Sequence, residues 1–81
     1  MSTKELYLEI TNILVELANI KGYKFSVHYG GGTNKCPLYV SYFIHYYDEI
    51  IKHGHLNYNT KNLKEKLNSL KEFVNERINK K

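Results

Sequence analysis

Four histidines are the side chains of this sequence best suited to chemistry near neutral pH. Histidines that meet in a fold can bind zinc, exchange protons with a phosphodiester, or take up positive charge in mildly acidic solution. The spacing of the histidines favours none of these roles, because His53 and His55 flank a glycine and no acidic ligand lies between them. We therefore expect a polar surface and no metal site from His28, His45, His53 and His55.

The single cysteine and the central carboxylates give little further support for catalysis. Cys36 would need a base within hydrogen-bond reach to act as a nucleophile, and it has no second cysteine for an intramolecular disulfide. Asp48 and Glu49 are adjacent, so their side chains diverge in a strand or turn. A His-based nuclease or a Cys36-dependent enzyme stays an alternative, but the pattern favours a protein that is not an enzyme and needs no cofactor.

The glycine-rich segment from Gly30 to Pro37 reads GGGTNKCP. Three consecutive glycines relax the restraints on the backbone, which suits a loop that could cradle a phosphate. The segment lacks the P-loop order in which glycines precede Lys and Ser or Thr at the start of a helix. We expect a mobile connection between two strands, with phosphate binding as the alternative.

The stretch CPLYVSYFIHYY, residues 36–47, has to position most of these groups. Its aromatic and β-branched side chains predict a strand over 38–47. A buried helix from Leu38 to about His53, ending at Gly54, is the alternative, because a mixed apolar run is ambiguous by periodicity. In a strand, the uniformly apolar or aromatic even positions form the core face. These positions are Leu38, Val40, Tyr42, Ile44 and Tyr46.

Two further strands are predicted on either side of this stretch. Residues 23–29 alternate aromatic or apolar side chains with polar ones, which is typical of a half-buried strand. Residues 50–58 form a weaker third strand, with Gly54 as the expected position of a bulge.

Amphipathic helices are predicted at both ends of the chain. In the first, over residues 2–21, Ser2 and Glu5 have the spacing of a capping box, and Gly22 stands where a left-handed C-terminal cap is expected. Its apolar stripe also fits a short heptad seam, so a coiled-coil partner helix is the alternative. The second helix covers residues 61–78, with Asn59 or Thr60 as its N-cap.

These elements predict an α+β fold in one domain over residues 1–81. The expected architecture is a small α-β-β-β-α domain, in which an antiparallel three-stranded meander carries two amphipathic helices on one face. The opposite sheet face would then be bare and rich in aromatic residues and histidines, which favours binding to a partner or to a second copy. Ile51 is expected to join this face. The candidate partner-binding residues there and in the glycine-rich loop are Lys24, His28, Lys35, Tyr39, Phe43, His45, Tyr47, His53 and His55.

Charge narrows the choice of partner. The chain has a formal net charge of +4 and a pI near 9.2, and its last 22 residues carry seven Lys or Arg against three Glu. A basic patch is expected at Lys61, Lys64 and Lys66, and an acidic protein or a nucleic acid would suit this surface. The sequence predicts neither a signal peptide nor a membrane span, and we expect a cytoplasmic protein.

The small size, the absent catalytic constellation and the Tyr-rich face favour a regulator or inhibitor of another protein, of the type that mobile elements or phages encode. The alternative is a nucleic-acid-binding module, because the α-β-β-β-α order is similar to that of double-stranded-RNA-binding domains. The segment NTKNLKEKL lacks the clustered lysines and small residues expected there at the start of the final helix. The likeness is therefore one of element order.

Overall fold

The computed structural model describes residues 2–35, 38–57 and 59–79. In chain order its elements are α1 (Thr3–Leu14), a 3₁₀ turn (Val15–Asn19), β1 (Tyr23–Gly30), β2 (Tyr39–Tyr46), β3 (Glu49–Leu56) and α2 (Leu63–Asn79). The strands form one antiparallel sheet in the order β1-β2-β3. The predicted α-β-β-β-α fold is confirmed, and the alternative of a buried helix over 38–53 is wrong.

The first helix begins as predicted but ends differently. The Ser2 hydroxyl accepts a hydrogen bond from the Glu5 backbone N–H at 3.2 Å and donates one to the Glu5 carboxylate at 3.1 Å. The α-helix stops at Leu14, and the residues predicted to complete it form the 3₁₀ turn, which tightens the chain before it enters β1. Leu17 of this turn stays fully buried, so the tighter winding keeps the apolar stripe on the core.

Gly22 has the predicted left-handed backbone, with φ of +94°, but it does not cap the helix. It lies in the turn into β1, after Ile20 has already become extended. Its carbonyl accepts a 2.7 Å hydrogen bond from the Tyr47 backbone N–H, which joins this turn to the β2–β3 hairpin. A Cβ here would lie 3.0 Å from the rings of Tyr46 and Tyr47, so both the angle and the space favour glycine.

The third strand pairs with β2 along its whole length, but with one irregularity. Ile44 pairs with Lys52 whereas His45 pairs with Ile50, so Ile51 is the extra residue of a β-bulge. The expectation of a bulge at Gly54 is wrong, because Gly54 pairs regularly with Tyr42.

Both helices pack on one face of the sheet, where a single core forms between them and β2. Glu9 of α1 and Lys71 of α2 are joined by a 3.3 Å ion pair at the edge of this core. Of the predicted core positions of β2, the central three are buried, whereas Leu38 and Tyr46 at its ends are 41% and 42% exposed. The buried core residues are Leu6, Ile10, Ile13, Leu14, Leu17, Val40, Tyr42, Ile44, Leu56, Leu67, Leu70 and Val74.

The second helix begins two residues later than expected and without the predicted caps. Asn62, with a positive φ of 60°, precedes its first residue and accepts a hydrogen bond from the Lys66 N–H at 3.0 Å. Thr60 instead closes a turn after β3, where its hydroxyl accepts from the Asn57 N–H at 2.8 Å. The Asn59 N–H donates to the Asn57 side chain in the same turn. These polar groups therefore stabilise the loop and leave the helix to start at Leu63.

Candidate functional site

The sheet face opposite the helices is the candidate site, and the strand register fixes which side chains it carries. Directly paired residues on neighbouring strands point to the same face. One row across the sheet joins Ser26, Phe43 and His53, and the next joins His28, Ser41 and His55. We call this surface the open face; its residues are Lys24, Ser26, His28, Tyr39, Ser41, Phe43, His45, Ile50, His53 and His55.

Phe43 is the centre of the open face. The His28 ring from β1 meets its edge at a centroid distance of 6.3 Å and an interplanar angle of 66°. The His53 ring from β3 lies on its other side at 6.1 Å and 29°, closer to a stacked arrangement. Phe43 is half-buried while both histidines are exposed. An aromatic cluster thus runs across all three strands, with a histidine ring on either side of Phe43.

A second aromatic pair lies beside this cluster. The Tyr39 and His55 rings approach to 4.2 Å between centroids, with an interplanar angle of 36°. On the other side of Tyr39, a Cβ on Gly30 would lie 2.7 Å from the Tyr39 hydroxyl oxygen. The Tyr39 ring therefore lies between the Gly30 backbone and the His55 ring, and this arrangement needs a residue without a side chain at position 30.

The electrostatic character of the open face is simple. Lys24 is its one permanently charged residue, and none of its side chains is a carboxylate. The remaining polar groups are imidazoles and hydroxyls, which can both donate and accept hydrogen bonds. The two ion pairs seen in the described part of the chain, Lys71–Glu9 and Arg77–Glu76, belong to the helical layer. The open face can therefore offer apolar contact and hydrogen bonds with no negative charge of its own.

All four histidines lie on this face, as predicted, but they are dispersed among other rings. Within residues 2–35, 38–57 and 59–79, no three His, Cys, Asp or Glu side chains come together in a way that could hold a metal ion. His28 and His53 are separated by Phe43, and His55 stacks on Tyr39. Cys36, the candidate nucleophile, lies outside the described residues together with Pro37.

Two predicted members of the face are elsewhere. Tyr47 is the first residue beyond β2 and has a positive φ of 54°, so it lies in the hairpin turn. The centroid of its ring lies 4.7 Å from that of the Tyr46 ring. Ile51 is the bulged residue, and Ile50 takes its place opposite His45 on the open face. Sequence alternation cannot reveal this exchange, because a bulge shifts the parity of all residues before it. The tandem of two isoleucines was the one available signal.

The predicted residues outside the sheet form separate surfaces. Lys35 is exposed in the glycine-rich segment, where its N–H donates to the Thr33 hydroxyl at 3.3 Å. Lys61, Lys64 and Lys66 are also exposed, around the first turn of α2. α2 packs on the other side of the sheet, and of these three lysines Lys66 lines a groove together with the open-face residues His53 and His55.

An apolar pocket of about 340 Å³, absent from the sequence expectations, opens between α1 and the end of β1. The Tyr7 and Tyr29 rings meet edge to face across it at 6.0 Å. Its remaining lining residues are Thr3, Lys4 and Leu38. Leu38 is thus exposed to a surface pocket at the end of the sheet, which explains its failure to join the core.

Comparison of the chain with protein-family models, with curated proteins and with solved structures finds no match. In the part of the chain that the structure describes, no helix is long and apolar enough to span a membrane.

Proposed function

We propose that this protein binds another protein through the open face and acts as a regulator or inhibitor of that partner. The observation that supports this best is the aromatic surface centred on Phe43. Its rings lie side by side on a sheet face that neither helix covers. Burying such a surface against a partner would remove apolar area from water, which is the main favourable term in most protein association.

The composition of the open face also favours a protein partner. The centres of protein–protein interfaces are depleted in charged residues and enriched in aromatic ones, and polar groups lie at the rim. Phe43 and Tyr39 have few rotatable bonds, so they lose little side-chain entropy on binding. The fixed charge of the face, on Lys24, lies on the edge strand β1. A continuous nucleic-acid surface would need more cations than this.

Charge complementarity defines the partner further. The chain carries a net charge of +4, and the open face contributes Lys24 and no carboxylate to it. Exposed Lys35 places another positive charge in the glycine-rich loop. A partner with an apolar centre and carboxylates at its rim would fit this arrangement. A small binder of this kind would act by occupying its partner's surface, in the way that inhibitors from mobile elements or phages are expected to work.

The experiment that tests this proposal is quantitative affinity capture from nuclease-treated extracts of the source cells. Tyr39→Ala/Phe43→Ala removes the two largest rings of the open face. Leu8→Ala is the matched control, because Leu8 is 49% exposed on α1, in the helical layer. We expect an acidic protein to be captured by the wild type and by Leu8→Ala but not by the double variant. Equal capture by all three baits would rule out the open face as the binding site.

Self-association would bury the same rings, so it is measured on the purified protein. The wild type could double its mass in solution as its concentration rises, while Tyr39→Ala/Phe43→Ala stays a monomer. That result would show that the open face binds a second copy of this chain and not a different protein. A monomer at all concentrations leaves the surface available for another protein.

Nucleic-acid binding is the second candidate function, and exposed Lys61, Lys64 and Lys66 around the first turn of α2 support it. Binding of this kind depends on phosphate contacts and weakens steeply as salt rises. We expect any oligonucleotide binding to be lost when these three lysines are changed to Gln and to persist in Tyr39→Ala/Phe43→Ala. Absence of binding at low salt would eliminate this candidate.

A further inference from the structure

The third strand has a free edge that the open face does not use. The strand order leaves β1 and β3 at the two edges of the sheet. The β1 side is flanked by the 3₁₀ turn and α1. Among the described elements, β2 is the one that packs closely along β3. At an edge strand, alternate backbone N–H and C=O groups point away from the sheet, where they can pair with another chain.

A groove of about 250 Å³ lies between this strand and α2. Lys52 of β3 and Lys66 of α2 line it from opposite sides, and Ser69 adds a hydroxyl. The Lys52 ammonium lies 5.3 Å from the centre of the Phe73 ring, a cation–π contact that restrains it near the helix. None of the residues that line the groove is Asp or Glu. The groove therefore presents two cations beside unpaired backbone groups.

We infer that β3 accepts an extended acidic segment of a partner protein as a fourth strand of the sheet. This inference rests on the proposed function, because it specifies how the protein partner is held. Main-chain hydrogen bonds to a strand edge supply affinity in this mode of recognition, and alternate side chains supply specificity. Side chains of the added segment that face the groove would be carboxylates, opposite Lys52 and Lys66. Those on the other side would continue the open face beside His53 and His55.

The register limits the added strand to a short segment. Pairing between β2 and β3 is regular from Lys52 to Leu56, and the bulge at Ile51 ends it. A bulge increases the local twist and so discourages pairing beyond that point. The geometry fits a peptide backbone better than a nucleic acid, since phosphates cannot reproduce the alternating donors and acceptors of a strand. The Tyr42 ring in the groove lining is also buried and offers no stacking surface.

The test begins with selection of short random peptides on the immobilised full-length protein. The best-enriched peptide is then titrated into the ¹⁵N-labelled protein. We expect enrichment of carboxylates at alternate positions, and slower amide hydrogen exchange within Lys52–Leu56 in the complex. Methylation of alternate backbone nitrogens of the peptide should abolish binding while its charges stay unchanged. Lys66→Glu should weaken binding by about tenfold, whereas Lys21→Glu, the same change of charge at an exposed residue in the turn before β1, should not.

Several outcomes would overturn the inference. Selection without acidic enrichment, contacts away from β3, or equal binding of the methylated peptide would each do so. Oligothymidine that slows the same amides and displaces the peptide would instead assign the groove to nucleic acid. The two proposals fail separately: protein capture that needs Phe43 but tolerates Lys66→Glu would reject the β3 edge alone. Peptide binding at β3 without capture of a protein through the open face would reject the proposed function alone.

Discussion

Tyr42 packs closely on the backbone of Gly54, and this contact depends on the absence of a side chain at position 54. They are direct partners across β2 and β3. A Cβ on Gly54 would lie 2.5–2.6 Å from atoms of the Tyr42 ring and hydroxyl. The ring therefore lies flat over the strand backbone and reaches the core, where it is 6% exposed. Glycine is needed here for close approach and has no unusual backbone angle.

Replacement of Gly54 by alanine should destabilise the protein by about 1–3 kcal/mol, because the Tyr42 ring has to move from a well-packed position. In a Tyr42→Leu background the same replacement should cost much less, since the ring that it displaces is absent. Urea denaturation of the four proteins of this double-mutant cycle measures the coupling. Costs that are equal in both backgrounds would show that the ring does not depend on Gly54.

Burial also makes Tyr42 a source of pH dependence. It raises the pKa of the Tyr42 phenol above its ordinary value of 10.0, because the phenolate is poorly solvated in the core. The unfolded chain then loses this proton at a lower pH than the folded chain does. The stability that the neutral phenol contributes is complete below the unfolded pKa and is lost as pH rises through the folded pKa.

Chemical denaturation of the wild type and Tyr42→Phe, from neutral pH to above pH 10, tests this effect. The stability of the wild type relative to Tyr42→Phe should fall as pH rises past about 10. Tyr29→Phe is the control, because Tyr29 is exposed and its change should leave the alkaline slope of the wild type in place. If the Tyr42→Phe and wild-type curves stay parallel, the phenol is not buried in the way described.

Ile44 and Ile50, one buried and one exposed, test which face of the sheet the helices cover. Ile44 is fully buried against the helices, and Ile50 lies on the open face with 55% of its surface exposed. Ile44→Ala should lower the free energy of unfolding by about 2–5 kcal/mol, and Ile50→Ala by less than about 1 kcal/mol. Thermal or urea unfolding measures both. A reversed order would mean that the helices cover the other face.

At the level of elements, β1 was predictable from the alternation of its side chains and β2 from its aromatic and β-branched residues, whereas β3 was the weakest of the three strand predictions. Ser26, Phe43 and His53 share a row, as their parity indicates. The odd or even position of a residue in the sequence could not locate the bulge at Ile51, because the position of a bulge depends on how β3 fits the hairpin turn. The 3₁₀ turn was equally hidden, because Leu17 satisfies the same apolar stripe in either kind of helix. Local patterns thus predict the type of each element better than its ends.

The start of α1 gives a prediction at this level. Ser2→Ala removes the hydroxyl that accepts a hydrogen bond from the Glu5 N–H, and it should destabilise the protein by about 1 kcal/mol. Ser69→Ala is the matched control within α2, where alanine is the better helix former and the change should be neutral or slightly stabilising. Both are measured by thermal unfolding with circular dichroism. Equal stability of Ser2→Ala and the wild type would show that the cap does not contribute.

The whole molecule has two layers with different surfaces. The sheet layer presents an aromatic, carboxylate-free face, and the helical layer carries the ion pairs and the exposed lysines of α2. The sequence allowed a prediction of the open face because alternation in β1 and β2 places its residues together. It could not show that Lys66 of α2 lies beside β3, since side-chain direction on a helix depends on how the helix packs. Nor could it predict the groove between β3 and α2, which no single element forms.

Site-specific photo-crosslinking in the source cells tests whether the open face binds another protein. A photoreactive amino acid replaces His53, beside Phe43 on the open face, and in a second protein it replaces Leu8 on α1. We predict a covalent adduct with one acidic protein from position 53 and none from position 8. Adducts from position 8 alone, or nucleic acid as the sole product at position 53, would contradict the proposed function.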